Sequence, residues 1–215
     1  MLPDEPRWVE AHGIAGDPRG WRRELGAGFA LGHDPARLIV VAGDADAGEV
    51  AALARAHPQH TLLASTDELA AALRGAGRPV QRALLHTLPD PSTLPDLEGA
   101  EPLGDAPLDH APPELADELR RARTPVWTAF VDGLASAFAY APWRSPRWFD
   151  VSVDVLAGAR QLGLGTLVAA AMIRGERALG REPVWGADEG NHASLRLAQR
   201  LGFVPVDELW VAPPA

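Results

Sequence analysis

The sequence predicts a mixed α/β (α+β) protein with a small α/β unit at its front, and three observations carry that prediction. Short β-like and helical patterns alternate over the first 88 residues. Asp132-Gly133 joins two apolar runs in the manner of a hairpin. A strictly alternating stretch, Trp148 to Val155, leads through a glycine-containing loop into a helix. At 215 residues, against a typical size of roughly 150 residues per domain, the chain has room for one domain or two smaller ones.

The elements follow in order. Arg37 to Ala42 is a short apolar run ending at Gly43, Glu49 to Ala56 reads as a helix, and Thr61 to Ala64 as a strand. Thr66-Asp-Glu opens a second helix with a capping residue and early acids, Gly75 and Gly77 end it, and Val80 to Leu88 is a third strand. Strand, helix, strand, helix, strand predicts a small parallel unit over residues 1–88. The turn at Gly43 to Gly48 has the glycine spacing of a phosphate loop but carries Glu49 where Lys is needed. Its Asp44-Ala-Asp46 start resembles a calcium loop without the terminal Glu, so it reads as a βα turn capped by Asp. Residues 89–112 form a proline-rich linker or irregular wrap.

Residues 113–215 form the second predicted domain. Pro112-Pro113-Glu114 sets the start of a helix through about Ala122. Val126 to Val131 and Leu134 to Ala141 are the strands of the Asp-Gly hairpin. In the next strand Trp148, Asp150, Ser152 and Asp154 share one face, and Phe149, Val151, Val153 and Val155 the other, which is expected to be core. A helix runs from the loop at Arg160 to Thr166 to about Leu179. Pro183 to Ala187 is a strand, Asn191 caps a helix to Leu201, Gly202 follows it as the C′ residue, and Phe203 to Val211 is the last strand.

Composition removes whole classes of function. Twenty basic residues face 29 acids for a net charge of −9, and the whole excess lies in front: residues 1–122 hold 11 Arg and 20 acids, and residues 123–215 nine of each. Nucleic acid and anionic membrane both need clustered cations, so neither is expected as a partner. No apolar run approaches the roughly 18 residues of a membrane span, and Met1 to Glu10 is acidic and proline-rich, unlike a signal peptide. A soluble, cytoplasmic protein is expected. With no cysteine there is no disulfide, thiolate metal site or Cys nucleophile, and the seven His are scattered along the chain, so no metal is assigned. Every basic residue is Arg, and Asn191 is the sole asparagine, which in so biased a composition gives it added weight.

In Arg160-Gln-Leu-Gly163-Leu-Gly165-Thr, glycines at a strand-to-helix junction let successive backbone N–H groups converge with the positive end of a helix dipole, which suits an oxyanion or pyrophosphate. Val168 stands where a dinucleotide fingerprint needs its third glycine. Taken with the alternating strand before it and Asn191-His-Ala-Ser-Leu-Arg-Leu-Ala-Gln-Arg-Leu-Gly-Phe203 after it, the loop resembles that of the GCN5-related N-acetyltransferase (GNAT) superfamily. Arg160, Gly163 and Gly165 match its loop after the fourth strand. Asn191, Leu201, Gly202 and Phe203 match its Asn-led helix ending in Leu-Gly-Phe. The resemblance covers about Ala100 to Val211 and implies a mixed, mostly antiparallel sheet with helices on both faces.

It also implies acetyl-CoA or another acyl-CoA as co-substrate. By that resemblance the backbone of Gln161, Leu162, Gly163, Leu164, Gly165 and Thr166 holds the pyrophosphate, with Arg160 at the loop's start. Val153 and Val155 pair with the pantetheine, and Asn191 and Ser194 approach it from the following helix. Arg196 and Arg200, four apart on that helix, could meet the 3′-phosphate or simply be solvated. The acceptor is an amine on a small molecule or a protein, and a homodimer is left open. A protonated amine needs a base: Asp150 is the first candidate, and Asp188 and Glu189 are its rivals. Tyrosine is usual seven residues after the Asn, and here that position is Ala198. Trp143 and Trp148, flanking residues 144–147, could wall the acceptor pocket or serve as core. The alternative to an enzyme is a non-catalytic acyl-CoA-binding sensor.

Overall fold

The computed structural model describes residues 2–215, which pack as two units. The units interleave in sequence. One holds residues up to 85 together with 186–192 and 205–215, and the other holds 86–185 and 193–204. The chain's last strand therefore belongs with the first unit, where the sequence suggested two consecutive domains.

In the first unit, α1 (Val9–Gly16) is followed by β1 (Gly20–Leu25), β2 (Gly28–His33), β3 (Leu38–Ala42), α2 (Ala47–Ala56), β4 (Thr61–Ala64), α3 (Asp67–Gly75) and β5 (Gln81–Thr87). The strands β1, β2 and β3 run antiparallel, β3 and β4 parallel, and the final strand, β12 (Val204–Ala212), antiparallel to β4. The expected parallel pairing holds for β3 and β4, while β2 and β1 add antiparallel strands on the β3 side and β12 stands antiparallel beside β4. Connections of two residues after β1 and four after β2 are too short to cross over, so they force antiparallel neighbours. The hairpin of β1 and β2 escaped the sequence pattern because its glycines break the alternation. Gly32 faces Trp21 across the pair, and a Cβ there would lie 2.0 Å from the indole ring, so the missing side chain is what lets Trp21 lie flat on the sheet. Ile39, Val41, Leu62 and Ala64 meet Val50, Leu53, Leu69 and Leu73 of α2 and α3 in this unit's core. Both helices start as the sequence indicates: Asp46 accepts from the Glu49 N–H at 2.9 Å and Thr66 from that of Leu69 at 3.3 Å.

The second unit begins with the proline-rich wrap. Thr93 donates its hydroxyl to Leu201 O at 2.9 Å, Leu94 and Leu108 are buried, and the short β6 (Glu101–Pro102) pairs with β7 (Trp127–Val131). Between them lies α4 (Pro113–Arg121). A hairpin joins β7 to β8 (Leu134–Tyr140) with both turn residues left-handed, Asp132 at φ 51° and Gly133 at 78°, as a type I′ turn requires. The sheet runs β6–β7–β8–β10, with β10 at Ser152–Val155. Helices cover both faces. Ala116 and Leu119 of α4 pack on Phe138 and Tyr140, while Gly175 of α5 (Leu164–Ala178) lies against Trp127 on the opposite face. β9 (Trp148–Asp150), β11 (Glu182–Asp188) and α6 (His192–Arg200) complete the element order. Gly202, at φ 92°, ends α6 as the sequence anticipates, with Phe203 N–H returning to Ala198 O at 3.0 Å. Among the described residues no helix is long and apolar enough to cross a membrane.

Candidate active site

The stretch from Trp148 to Val155, read from sequence as one strand, is two strands with different partners. β9 pairs in parallel with β11, ending with Val184 opposite Asp150, and the Val151 N–H donates to Val184 O at 3.0 Å. From Ser152 onward the chain has left β11 and pairs only with β8, Ser152 opposite Tyr140 and Val155 opposite Ala137. β10 is therefore a sheet edge, and its second row of backbone N–H and C=O groups has no strand partner among the described residues. Such a row accepts an extended, amide-bearing molecule as a further strand. Val153 and Val155 are only half-buried, where the alternation placed them in core: α5 packs on their face at Gly165, but β10 is an edge strand with no neighbour beyond it.

The loop after β10 runs into α5. Gln161 and Gly163 are both left-handed, at φ 66° and 79°, and Gly163 is the N-cap of α5 with no side-chain hydrogen bond to the helix. The first intrahelical bonds run from the Thr166 and Leu167 N–H groups to Gly163 O, so those of Leu164 and Gly165 stand ahead of them at the positive end of the dipole. A Cβ built on Gly163 would meet nothing within 4 Å. One on Gly165 would sit 3.3 Å from Val155 Cγ2 and from Leu197 Cδ2, so glycine there lets the helix approach β10 and α6 closely. Arg160 is exposed, its Nε reaching Val155 O at 3.5 Å. An anion and an adjoining amide chain are the chemistry this loop and edge accommodate together.

On the α4 side of the sheet lies a cluster of polar groups. Asp150 keeps some accessible surface, yet protein surrounds its carboxyl. Burial pushes it up to about 7, the Val151 backbone amide opposes the rise, and the charge of Glu118 on α4 adds to it. Burial, then Glu118, also raises Asp154. The Tyr140 hydroxyl, in hydrogen-bonding reach of Ser152 and Glu118, is pushed well above the ordinary phenol range, chiefly by burial, and stays protonated. Glu118 is thus the common neighbour of Asp150, Asp154 and Tyr140. The sequence did not single it out, because an exposed acid on an amphipathic helix looks like ordinary solvated surface.

Of the residues chosen from sequence, the second unit brings together Asp150, Val153, Val155, Arg160 to Thr166 and Ser194. Asp188, Glu189 and Asn191 pack with the first unit. Glu189 is ion-paired with Arg82 at 2.7 Å, and Arg82 also meets Glu208 at 3.2 Å. Asp188, raised by burial, accepts from Gln81 Nε2 at 2.6 Å. Asn191 immediately precedes α6. Ser194 Oγ accepts from the indole of the buried Trp185 at 2.9 Å, which fixes the hydroxyl at the front of α6. Ala198, where the tyrosine of the resemblance would stand, is fully buried. Trp148 is buried in the fold with Arg147 over its ring, whereas Trp143 is half-buried. Arg196 and Arg200 are exposed.

The family model for GNAT acetyltransferases matches residues 133–211, from the hairpin turn into the last strand. That stretch belongs to the GNAT superfamily. The fold of the whole chain is shared with solved GNAT structures at low sequence identity. A GCN5-related N-acetyltransferase-like protein from Streptococcus suis aligns over 98% of this chain and 92% of its own, with a TM-score of 0.70 and 15% identity. A GCN5-related N-acetyltransferase from Kribbella flavida aligns over 100% and 97%, with a TM-score of 0.65 and 20% identity. A tandem GNAT protein from the clavulanic acid biosynthesis pathway aligns over 97% and 94%, at 0.53 and 17%. No curated protein sequence matches the chain closely enough to count as a relative. A match to the GNAT acetyltransferase family implies acyl transfer from coenzyme A.

Proposed function

We propose that the protein is an N-acyltransferase that moves an acetyl, or another acyl, group from acyl-CoA to an amine by direct attack on the thioester. The observation that supports this reading most is the unpaired edge of β10 running into the uncapped N-terminus of α5. In this reading the backbone at Val153 to Val155 pairs with the pantetheine amides, and the N–H groups from Gln161 to Thr166 take the pyrophosphate.

Asp150 is the base. Its raised carboxyl is close to the working pH, so it can take a proton from an ammonium and lose it again to solvent. Positioning supplies the rest, by holding amine and thioester in contact. The thiolate leaves without a tyrosine at 198, since a thiolate is a fair leaving group. Trp143 and the loop up to Trp148 are the proposed acceptor wall.

The test is a pair of measurements on the full chain. Acetyl-CoA at a hundred times its dissociation constant adds about 2.7 kcal/mol of stability, a rise of several degrees in melting temperature. Thioester cleavage, followed by thiol release against a panel of amines, separates turnover from binding. A melting curve unmoved by acetyl-CoA refutes the site, and a shift without release with any amine leaves a binding protein.

A further inference from the structure

At one end of the first unit's parallel pair, two turns lie side by side. Leu38 of β3 pairs with Thr61 of β4, and parallel pairing places whatever precedes each strand at the same edge. What precedes them is Asp34, opening a short 3-10 turn, and the turn His57-Pro-Gln-His60, closed by the His60 N–H to His57 O at 3.1 Å. The Thr61 N–H donates to Arg37 O at 2.8 Å and locks the two turns together. His60 Nε2 lies 3.2 Å from Asp34 Oδ1, and the rings of His57 and His60 meet edge to face at 4.9 Å between centroids. One ligand atom from each of Asp34, His57 and His60 falls within 4.8 Å of the others.

We propose that Asp34, His57 and His60 bind a divalent transition ion of the zinc class, which clamps the turn before β3 to the turn before β4. Ligand atoms about 2.0–2.1 Å from a tetrahedral ion are roughly 3.3 Å apart, the spacing already present between Asp34 and His60. A carboxylate with two imidazoles is a zinc donor set, and water completes the shell at this accessible site.

Two features make the arrangement more than a chance meeting of surface groups. The backbone that carries both histidines is anchored from below by Arg78. This buried guanidinium donates to His57 O at 3.3 Å and His60 O at 2.6 Å, and also to Ala54 O. Trp21 fixes the other members, its Nε1 donating to Asp34 Oδ1 at 2.9 Å while its ring stacks on His57 at 5.6 Å. Backbone anchoring and outer hydrogen bonds of this kind hold metal ligands in place before the ion arrives. Nothing in the β10 edge or the α5 loop takes part, so this inference stands apart from the acyltransfer reading.

The experiment is calorimetric titration of the untagged full chain, stripped with a chelator, with Zn2+. One equivalent should bind saturably, and Asp34→Asn, His57→Gln and His60→Gln should each weaken it at least about tenfold, whereas His12→Gln, elsewhere in the same unit, should not. Each variant is checked for a cooperative melt. A second readout needs no ligand variant: Co2+ should quench Trp21, seen as a larger loss of fluorescence in the wild type than in Trp21→Phe. Absence of saturable binding, one-to-one binding that survives the paired His57→Gln/His60→Gln change, or equal quenching with and without Trp21 overturns the proposal.

Discussion

Two strand-to-helix turns occupy the same place in the element order of the two halves, and they differ in every respect that matters to an anionic ligand. The order helix, three strands, helix, strand, helix, strand holds for α1 to β5 and again, with the third strand broken in two, for α4 to β12. In the first half the turn from β3 into α2 is closed. The Asp46 carboxylate takes the Glu49 N–H, a Cβ on Gly28 would lie 2.4 Å from Ala45 N, and β3 is paired on both edges, with β2 and with β4. In the second half the turn from β10 into α5 has no side-chain cap, Gly163 faces open space, and β10 has a free edge. A carboxylate already seated at a helix N-terminus repels the anion that an empty one attracts. A repeated order of elements therefore need not carry a repeated site.

The largest effect that could break the comparison is on turnover. Asp150→Asn keeps size and polarity but cannot take the amine's proton, so the acyl-transfer rate should fall by about a hundredfold or more with acyl-CoA affinity little changed. The wild-type rate should climb with pH through about 7, where the Asp150 carboxyl ionises, and the variant should lack that limb. The same group sets a stability prediction of opposite sign. A carboxyl raised in the fold stabilises it below the ordinary carboxylate range, and that contribution is lost as pH rises from about 4 to about 7. Asp150→Asn should therefore be more stable than wild type at pH 8, by at most about 4 kcal/mol, and no more stable at pH 3; chemical denaturation at the two values checks it. An activity loss with no gain at pH 8 would mean that Asp150 is not held at a cost.

Next comes the contrast between the two glycines. Gly163→Val forces a left-handed residue to carry a branched side chain into the space before α5, and should abolish the acetyl-CoA melting shift of about 2.7 kcal/mol. Gly43→Val, equally left-handed, would place its Cβ 3.1 Å from Gly28 Cα and should lower the melting temperature while leaving that shift intact. Equal loss of the shift in both would show that ligand binding does not distinguish the two turns. The smallest effect is that of the cap. Asp46→Ala should cost about 1 kcal/mol of stability in a denaturant titration and confer no acyl-CoA affinity on the first half.

Much of this was legible in the residues. The Asp132-Gly133 hairpin, the Asp46 and Thr66 caps and the Gly202 helix end depend on chemistry within a few positions, and each stands where the sequence indicates. The Gly163 loop was readable for the same reason, since left-handed backbone and an uncapped helix start are local properties. The hairpin at Gly20 to His33 was not, because its alternation is interrupted by glycines whose purpose is a ring on the neighbouring strand.

What the sequence by itself determined is the kind of each element, where most begin and end, and which residue types sit at the β10-to-α5 junction. Only the tertiary structure decided that residues 148–155 change partner at Val151, because strand pairing is chosen by competition among distant segments rather than by the strand's own alternation. It likewise set Glu118 opposite Asp150, returned the last strand to the first unit, and gathered Asp34, His57 and His60 at one edge. Burial and Coulomb interaction act through space, so a carboxyl's ionisation and a ligand set's spacing exist only once the chain has brought residues far apart in sequence to within a few ångströms.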